Sequence, residues 1–225
     1  MKPVIRGLLA LSLVPALMLA SCQTFIALLV AKSIQTQDRP AKYPVPGGKK
    51  ILALVESSLC ETDQPVARML TERLNKEMEK QKIAAKTVPY EALLELAAAT
   101  PGFSKMEAAE IGKKLGADIV CYVLIHEFKL KDEVEELWRG EFRATVSMVD
   151  VATGRQLWPM SGHEGYWVKP VRAPVTSSTS PDYAAELSRA LCDTMADRIA
   201  KLFYDHRVPI DEPEEDTPET NWEGY

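Results

Sequence analysis

One stretch constrains the fold more than any other in the chain. Residues 119–125, with the sequence IVCYVLI, carry no charged side chain on either strand face. A strand of this composition is covered on both faces, so we expect it in the middle of a sheet. From His126 onward apolar and charged residues alternate, which predicts that His126 and Glu127 point to opposite faces and cannot act together. One face of the sheet should therefore reach solvent at this end of the strand.

The following strand shows the clearest alternation in the chain. Trp138, Phe142 and Val146 are predicted on a buried face, with Arg139 and Arg143 on a polar one. A glycine turn at 150–154 then reverses the chain. Residues 156–167 are predicted as an edge strand that Pro159 interrupts.

The remaining periodicities predict an α/β (α+β) fold in which a mixed, largely antiparallel sheet packs with helices. The order of elements is β-α-β-α-α-β-β-β-α. Ser104 with Glu107 has the spacing of a capping box at the start of one helix. Ser180 is predicted to cap the last helix.

The amino terminus has the order of charges and apolar residues that is typical of a secretory signal. Lys2 and Arg6 precede an apolar run over 7–19, which is shorter than the ~20 residues that a bilayer span needs. Small residues follow the run, and then Cys22. This order predicts export of the remaining chain.

Leu19-Ala20-Ser21-Cys22 resembles the lipobox of bacterial lipoproteins at all four positions. The resemblance implies cleavage between Ser21 and Cys22, and acylation of Cys22 with chains such as palmitate. The protein would then bind the membrane through lipid on Cys22. Gln23, rather than an acidic residue, follows the cysteine, which by the sorting habit of these lipoproteins favours the outer membrane, facing the periplasm.

A second interpretation of the same segment is a single uncleaved helix over 7–31, which would make the chain a single-pass anchored protein. Pro15 and the polar patch at 21–24 argue against it, since both interrupt a span. In the lipoprotein interpretation the chain is divided into a signal peptide (1–21), a lipidated terminus with a proline-rich tether (22–48), an α/β domain (49–207) and a disordered acidic tail (208–225).

The charge distribution excludes one class of partner. The formal charge of the chain is −5, but the last fifteen residues hold seven acidic side chains and no lysine or arginine. The folded body is therefore near neutral, and it has no basic stripe of the kind that predicts binding of nucleic acid.

His206 is expected at the end of a helix.

Few residues have the types and spacing of a catalytic or metal-binding site. Cys60, Cys121 and Cys192 show no metal-binding spacing, and buried thiols are the expected state of Cys121 and Cys192. No cofactor or metal site is predicted. A hydrolase using Ser57 or Ser58 remains an alternative, which requires one of them to meet His126 or His163 in space.

Aromatic residues supply the candidate partner surface. Trp158 and Trp167 flank the predicted edge strand, and the polar face carrying Arg139 and Arg143 lies beside them. Aromatic and arginine side chains anchor many protein interfaces. For Trp138, packing in the core is favoured.

Three segments, KILALVE, AAEIGKKLGADIVCYVLI and VSMVDVATGRQLW, resemble the α/β domain of three kinds of envelope protein. These are the curli secretion lipoprotein, the penicillin-binding-protein activator lipoprotein and the amino-terminal domain of the Tol-system propeller protein. The stretch DRPAKYPVPGGKKILALVE is also similar to uncharacterised lipoproteins. The resemblance implies a non-enzymatic module that binds or regulates another envelope protein, in cell-wall synthesis, secretion or transport, with homo-oligomers as a further option.

Overall fold

The computed structural model describes residues 36–57, 64–131, 137–160, 164–177, 180 and 182–210. These residues fall into two units. The smaller unit combines β1 (Thr36–Arg39) with most of β9 (His206–Pro209), and the two strands form a two-stranded sheet. The larger unit runs from Pro40 to His206. The predicted signal peptide, Cys22 and the chain from 211 onward lie outside the described residues.

The larger unit is built on a seven-stranded sheet. Its strands are β2 (Lys50–Ser57), β3 (Lys86–Thr87), β4 (Ile119–Lys131), β5 (Trp138–Asp150), β6 (Gln156–Trp158), β7 (Tyr166–Trp167) and β8 (Val171–Arg172). The path is β3-β2-β4-β5-β6, and β7 and β8 also pair with β5. β2 is parallel to β3 and β4, whereas β5 is antiparallel to all its partners. The sheet is mixed and largely antiparallel, as predicted.

Helices cover both faces of this sheet. They are α1 (Gln64–Lys80), α2 (Tyr90–Ala99), α3 (Ala108–Lys114) and α4 (Tyr183–Lys201). One core lies under α1 and α4, and a second, smaller core lies under α2 and α3. Both cores use β4: Cys121 belongs to the first and Val120 to the second. The prediction that this strand is central and covered on both faces is confirmed.

The two cysteines inside the larger unit are buried free thiols, as expected. Burial raises the pKa of the Cys192 thiol to about 12, and burial also raises the pKa of Cys121. Both side chains therefore remain neutral and pack as small apolar groups. Cys60 lies outside the described residues.

Both predicted helix starts differ from the structure. Ser104 lies in a separate 3-10 turn (Phe103–Lys105), and α3 begins only at Ala108, after Glu107 at the N-cap position. The separation arises because Gly102 adopts a φ of +79° and Phe103 packs against the second core. The N-cap position of α4 is Asp182 rather than Ser180, and its side chain makes no capping hydrogen bond.

The predicted edge strand over 156–167 is also wrong in detail. The structure has β6 and β7 in its place, and β8 lies just beyond it. Each of these three strands pairs with a different part of β5. Pro159 cannot donate a ladder hydrogen bond, and β6 ends immediately before it. The turn that precedes β6 is as predicted, with Gly154 at a φ of +69°.

The segments predicted as tether and tail contribute to the folded structure. β1 lies within the predicted tether. β9 starts at His206, where the end of a helix was predicted, and it includes two residues of the predicted tail. Nearer the domain, the backbone N–H of Tyr43 donates to the carbonyl of Leu202 at 3.0 Å, and the Tyr43 ring stacks on Trp158. An aromatic ring and a hydrogen-bonded backbone fix this part of the segment against the body, so it does not act as a free spacer.

Gly112 in α3 offers a test of how closely this helix approaches the sheet. A Cβ atom at Gly112 would lie 2.7 Å from methyl groups of both Val120 and Val151. Gly112→Ala should therefore lower the free energy of unfolding by ~1–3 kcal/mol, measured by urea denaturation of the purified protein.

Helix propensity alone would give the opposite sign, since alanine is favoured over glycine in a helix by ~1 kcal/mol. Gly47→Ala is the matched control, because no atom lies within 4 Å of a Cβ atom placed at Gly47. A Gly112→Ala protein as stable as the parent would contradict the close approach.

Candidate functional site

The second core covers only part of its sheet face. Its members on β4 and β5 end at Tyr122 and Val149. Beyond them the same face of the sheet carries a group of polar and aromatic side chains that we call the Trp167 surface. It consists of Tyr122, His126, Glu127, Arg143, Thr145 and Trp167.

A β-bulge in β4 determines which residues belong to this surface. Ile125 pairs with Ala144 and Glu127 pairs with Arg143, so His126 is an extra residue between two consecutive partners on β5. The bulge places Glu127 on the same face as His126. The prediction that these two residues point to opposite faces is therefore wrong.

The sequence does contain a signal for this bulge. Ile125 and Phe128 both face the first core, and two polar residues stand between them. Strict alternation allows only one residue between two neighbours on the same face. An apolar–polar–polar–apolar interruption in a strand is thus the pattern that would have indicated the bulge.

Trp167 and His126 form the aromatic part of the surface. The centroids of their rings are 4.4 Å apart, with an angle of 32° between the ring planes. His126 Nε2 lies 2.9 Å from Thr145 Oγ1, and Thr145 is the residue that pairs with Trp167 across β5 and β7. Trp167 nevertheless remains 50% exposed. A large indole is thus held in place from one side and open to contact from the other.

A network of charged side chains continues along the same face. Arg143 pairs with Glu127 at 3.0 Å and with Glu141 at 2.7 Å. Lys129 pairs with Glu127, and Arg172 pairs with Glu141. Burial raises the pKa of Glu141, but its hydrogen bonds to Arg143 and Arg172 outweigh that effect and lower it. The carboxylate stays ionised, so the face presents fixed charges of both signs next to the indole.

Tyr122 lies at the end of the Trp167 surface that is nearest the second core, and its side chain makes a hydrogen bond there. The Tyr122 hydroxyl donates to Glu56 Oε2 at 2.8 Å. Burial and this bond to a carboxylate raise the pKa of Tyr122. The phenol is therefore a neutral donor, and the surface combines an open indole, an imidazole and a charged network.

The other predicted partner residues occupy different environments. Trp158 is half-buried and contacts the rings of Tyr43, Tyr166 and Phe203, so part of its indole packs within the larger unit. Arg139 is exposed two residues before Glu141 on β5. Trp138 packs edge-on against Tyr183, in agreement with the packing role favoured for it.

Of the residues in the hydrolase alternative, Ser57 and His126 do not meet. Ser57 is in register with Ile125, whose side chain belongs to the first core, whereas His126 faces the Trp167 surface on the other side of the sheet. Ser58 and His163 lie outside the described residues.

Within the described ranges no group of three His, Cys, Asp or Glu side chains is placed to hold a metal ion. Among those same residues, no helix has the length and apolar character that crossing a bilayer requires.

No protein-family model matches the chain, and a search of curated proteins also found no match. Solved structures that match include the PelC dodecamer from Paraburkholderia phytofirmans, with 13% identity, coverage of 76% of this chain and 97% of that chain, and a TM-score of 0.40. Lipoprotein GNA1162 from Neisseria meningitidis matches with 13% identity over 68% of this chain and 99% of its own, at a TM-score of 0.42. The LpoB C-terminal domain from Salmonella enterica matches with 14% identity over 60% and 86%, at a TM-score of 0.34.

One of these structures is a lipoprotein. Identities and TM-scores of this size assign no function to the chain.

The environment of His126 predicts a pH dependence of stability. Burial lowers the pKa of His126, and the charge of Glu164 only partly offsets this. An unfolded histidine has a pKa of ~6.5, so the unfolded chain binds the proton more readily than the folded one. The stability that a neutral His126 contributes is therefore present above pH ~6.5 and is lost as the pH falls through the lower folded pKa.

The His126→Gln protein should lose less stability than the parent between pH ~7.5 and ~5, as measured by urea midpoints at each pH. Glutamine is similar in size and does not titrate in this range. Equal losses in the two proteins would contradict the assigned environment of His126.

Proposed function

We propose that this protein is a cell-envelope lipoprotein that is anchored by lipid on Cys22 and acts as a binding or regulatory module for another envelope protein. The support for the anchor is the order of Lys2, Arg6, an apolar run and Leu19-Ala20-Ser21-Cys22. The lipoprotein pathway attaches more than one acyl chain, and stable anchoring requires more than one. Gln23 supports an outer-membrane location facing the periplasm.

The observation that carries the binding function is the Trp167 surface. Its indole is half exposed although its other side rests on His126, and charges of both signs surround it. A rigid aromatic ring beside ordered arginine side chains is the composition of an interface anchor. Partners in cell-wall synthesis, secretion or transport all fit such a surface, as does a second copy of this chain.

The proposal is that of a non-enzymatic module. It is supported by the separation of Ser57 and His126 on opposite faces of the sheet. The alternatives are a hydrolase that uses Ser57 or Ser58 with a histidine, and a single-pass protein whose residues 7–31 remain as an anchor.

Replacement of Cys22 tests the anchor. Cys22→Ala should leave an unprocessed precursor or release the body from the membrane fraction, because the acyl acceptor is gone. Cys60→Ala is the matched control and should be processed and retained like the parent. Normal processing and retention of Cys22→Ala would contradict lipidation.

Replacement of Trp167 tests the binding surface. A photo-crosslinking amino acid at position 167 should give an adduct with an envelope protein in intact cells, and the same group at Leu94 should not. Leu94 is the matched control because it is also exposed, at 43%, but lies on α2.

The partner identified in this way should bind the Trp167→Ala protein at least ~30-fold more weakly than the parent, which is the effect expected for an interface anchor. Leu94→Ala should bind like the parent. Identical adducts from both positions, or unchanged affinity of Trp167→Ala, would contradict the assignment of this surface.

A further inference from the structure

One end of the larger unit collects the beginnings of three strands and the end of a fourth. β2, β3 and β4 are parallel and start there, with Lys50 opposite Lys86 and Ile51 opposite Ile119. β5 is antiparallel to them and finishes there at Asp150. We call this part of the molecule the lysine-rich end, for the side chains described next.

Three helices also finish at this end. The chain leaving α1 donates from Ala85 N–H to the Lys49 carbonyl, and the chain leaving α3 donates from Asp118 N–H to the Lys50 carbonyl. α4 also finishes there, next to Leu202, whose carbonyl accepts the hydrogen bond from Tyr43 N–H. Helix carboxyl termini carry partial negative charge and favour nearby cations.

The cations at this end outnumber the carboxylates. The seven cationic residues are Lys49, Lys50, Lys82, Lys86, Lys113, Lys114 and Arg155. The carboxylates between them are Glu79, Asp118 and Asp150, and each accepts a hydrogen bond from the protein's own backbone. Asp205, which accepts a hydrogen bond from Ala41 N–H, adds a fourth carboxylate, and the pairs Lys80–Glu77 and Lys201–Asp197 are neutral. Seven positive and four negative side chains therefore leave this end with a net positive charge.

The described structure shows no ion pair for these seven cations. Lys50 Nζ donates to the Leu115 carbonyl, but in the described part of the chain none of the seven side chains lies within ion-pair distance of a carboxylate. The opposite end of β4 and β5 differs, since Lys129, Arg143 and Arg172 are all paired with Glu127 or Glu141 there. Lys49 and Lys86 interact with Asp150 and Glu79 only through space, so the cations of the lysine-rich end are less tightly paired than Lys129, Arg143 and Arg172.

The segment of the larger unit that precedes β2 packs at this same end. Tyr43 is docked on Leu202, and Lys49 then enters the cleft that also contains Lys113, Asp118 and Asp150. The first described residues of the larger unit, from Pro40 to Lys49, therefore lie at its lysine-rich end. The negative surface of a bilayer that contains anionic lipids attracts lysine side chains that lie close to it.

We propose that the lysine-rich end binds the surface of anionic phospholipids and so orients the body on the membrane. The inference rests on the proposed lipid anchor. It leaves the Trp167 surface, which extends toward the other end of β4 and β5, open to a protein partner.

The test uses the lipidated protein extracted from membranes and reconstituted into vesicles of phosphatidylcholine alone or of phosphatidylcholine mixed with phosphatidylglycerol. Acetylation of each lysine is followed by mass spectrometry. Lys49, Lys86, Lys113 and Lys114 should react about fivefold more slowly in the anionic vesicles, and high salt should remove the difference. Lys105 and Lys169, at the other end of the body or on its side, should react equally in both.

A charge variant sharpens the result. Lys113→Gln combined with Lys114→Gln should reduce the protection of Lys49 and Lys86 in anionic vesicles, whereas Lys105→Gln combined with Lys169→Gln should leave it unchanged.

The two proposals fail in different ways. A protein that floats with neither vesicle would contradict the lipid anchor. A protein that floats with both, while its lysines react equally in both, would overturn the electrostatic orientation and leave the anchor intact. Lysines that are protected from acetylation equally in neutral and anionic vesicles would also overturn the electrostatic orientation, because the protection would then come from closeness to the bilayer and not from its charge.

Discussion

The pairing of β4 with β5 is the interaction on which the rest of the structure depends. Both strands are thirteen residues long, and their ladder connects the parallel half of the sheet to β6, β7 and β8. At one end of the ladder, both faces are buried, with Val120 and Cys121 on opposite sides. At the other end only one face is buried, because α2 and α3 do not extend that far. A single pair of strands therefore supplies the centre of the core and the exposed surface.

The bulge at His126 connects this architecture to function. It keeps Phe128 directed at Phe142 in the core, at a centroid separation of 5.1 Å, while Glu127 turns to the exposed face and meets Arg143. The imidazole then fills the space beneath the Trp167 indole. Charge is distributed along the same strands, with ion pairs near the bulge and unpaired lysines near the strand beginnings. The proposed membrane contact and the proposed partner contact thus lie in different parts of one sheet and do not compete.

The sequence predicts the parts of this fold that depend on local pattern. The central position of β4 follows from the uninterrupted apolar run, and the turn before β6 follows from Gly154, whose positive φ few other residues adopt. The docking of Tyr43 was missed because its partners, Trp158 and Leu202, are far away in the chain, and proline-rich sequence around it resembles a spacer. The exposed position of Trp167 and the half-buried one of Trp158 could not be separated for the same reason. The start of α3 at Ala108 depends on the packing of Phe103, which no capping pattern reports.

The lipid on Cys22 is the central claim of this account, since the orientation of the body and its access to a partner both follow from it. The most direct test is the intact mass of the native protein extracted from membranes. The account predicts a chain that begins at Cys22 and carries a diacylglyceryl group, with or without a further acyl chain. A mass equal to the unmodified chain beginning at Met1 would contradict it.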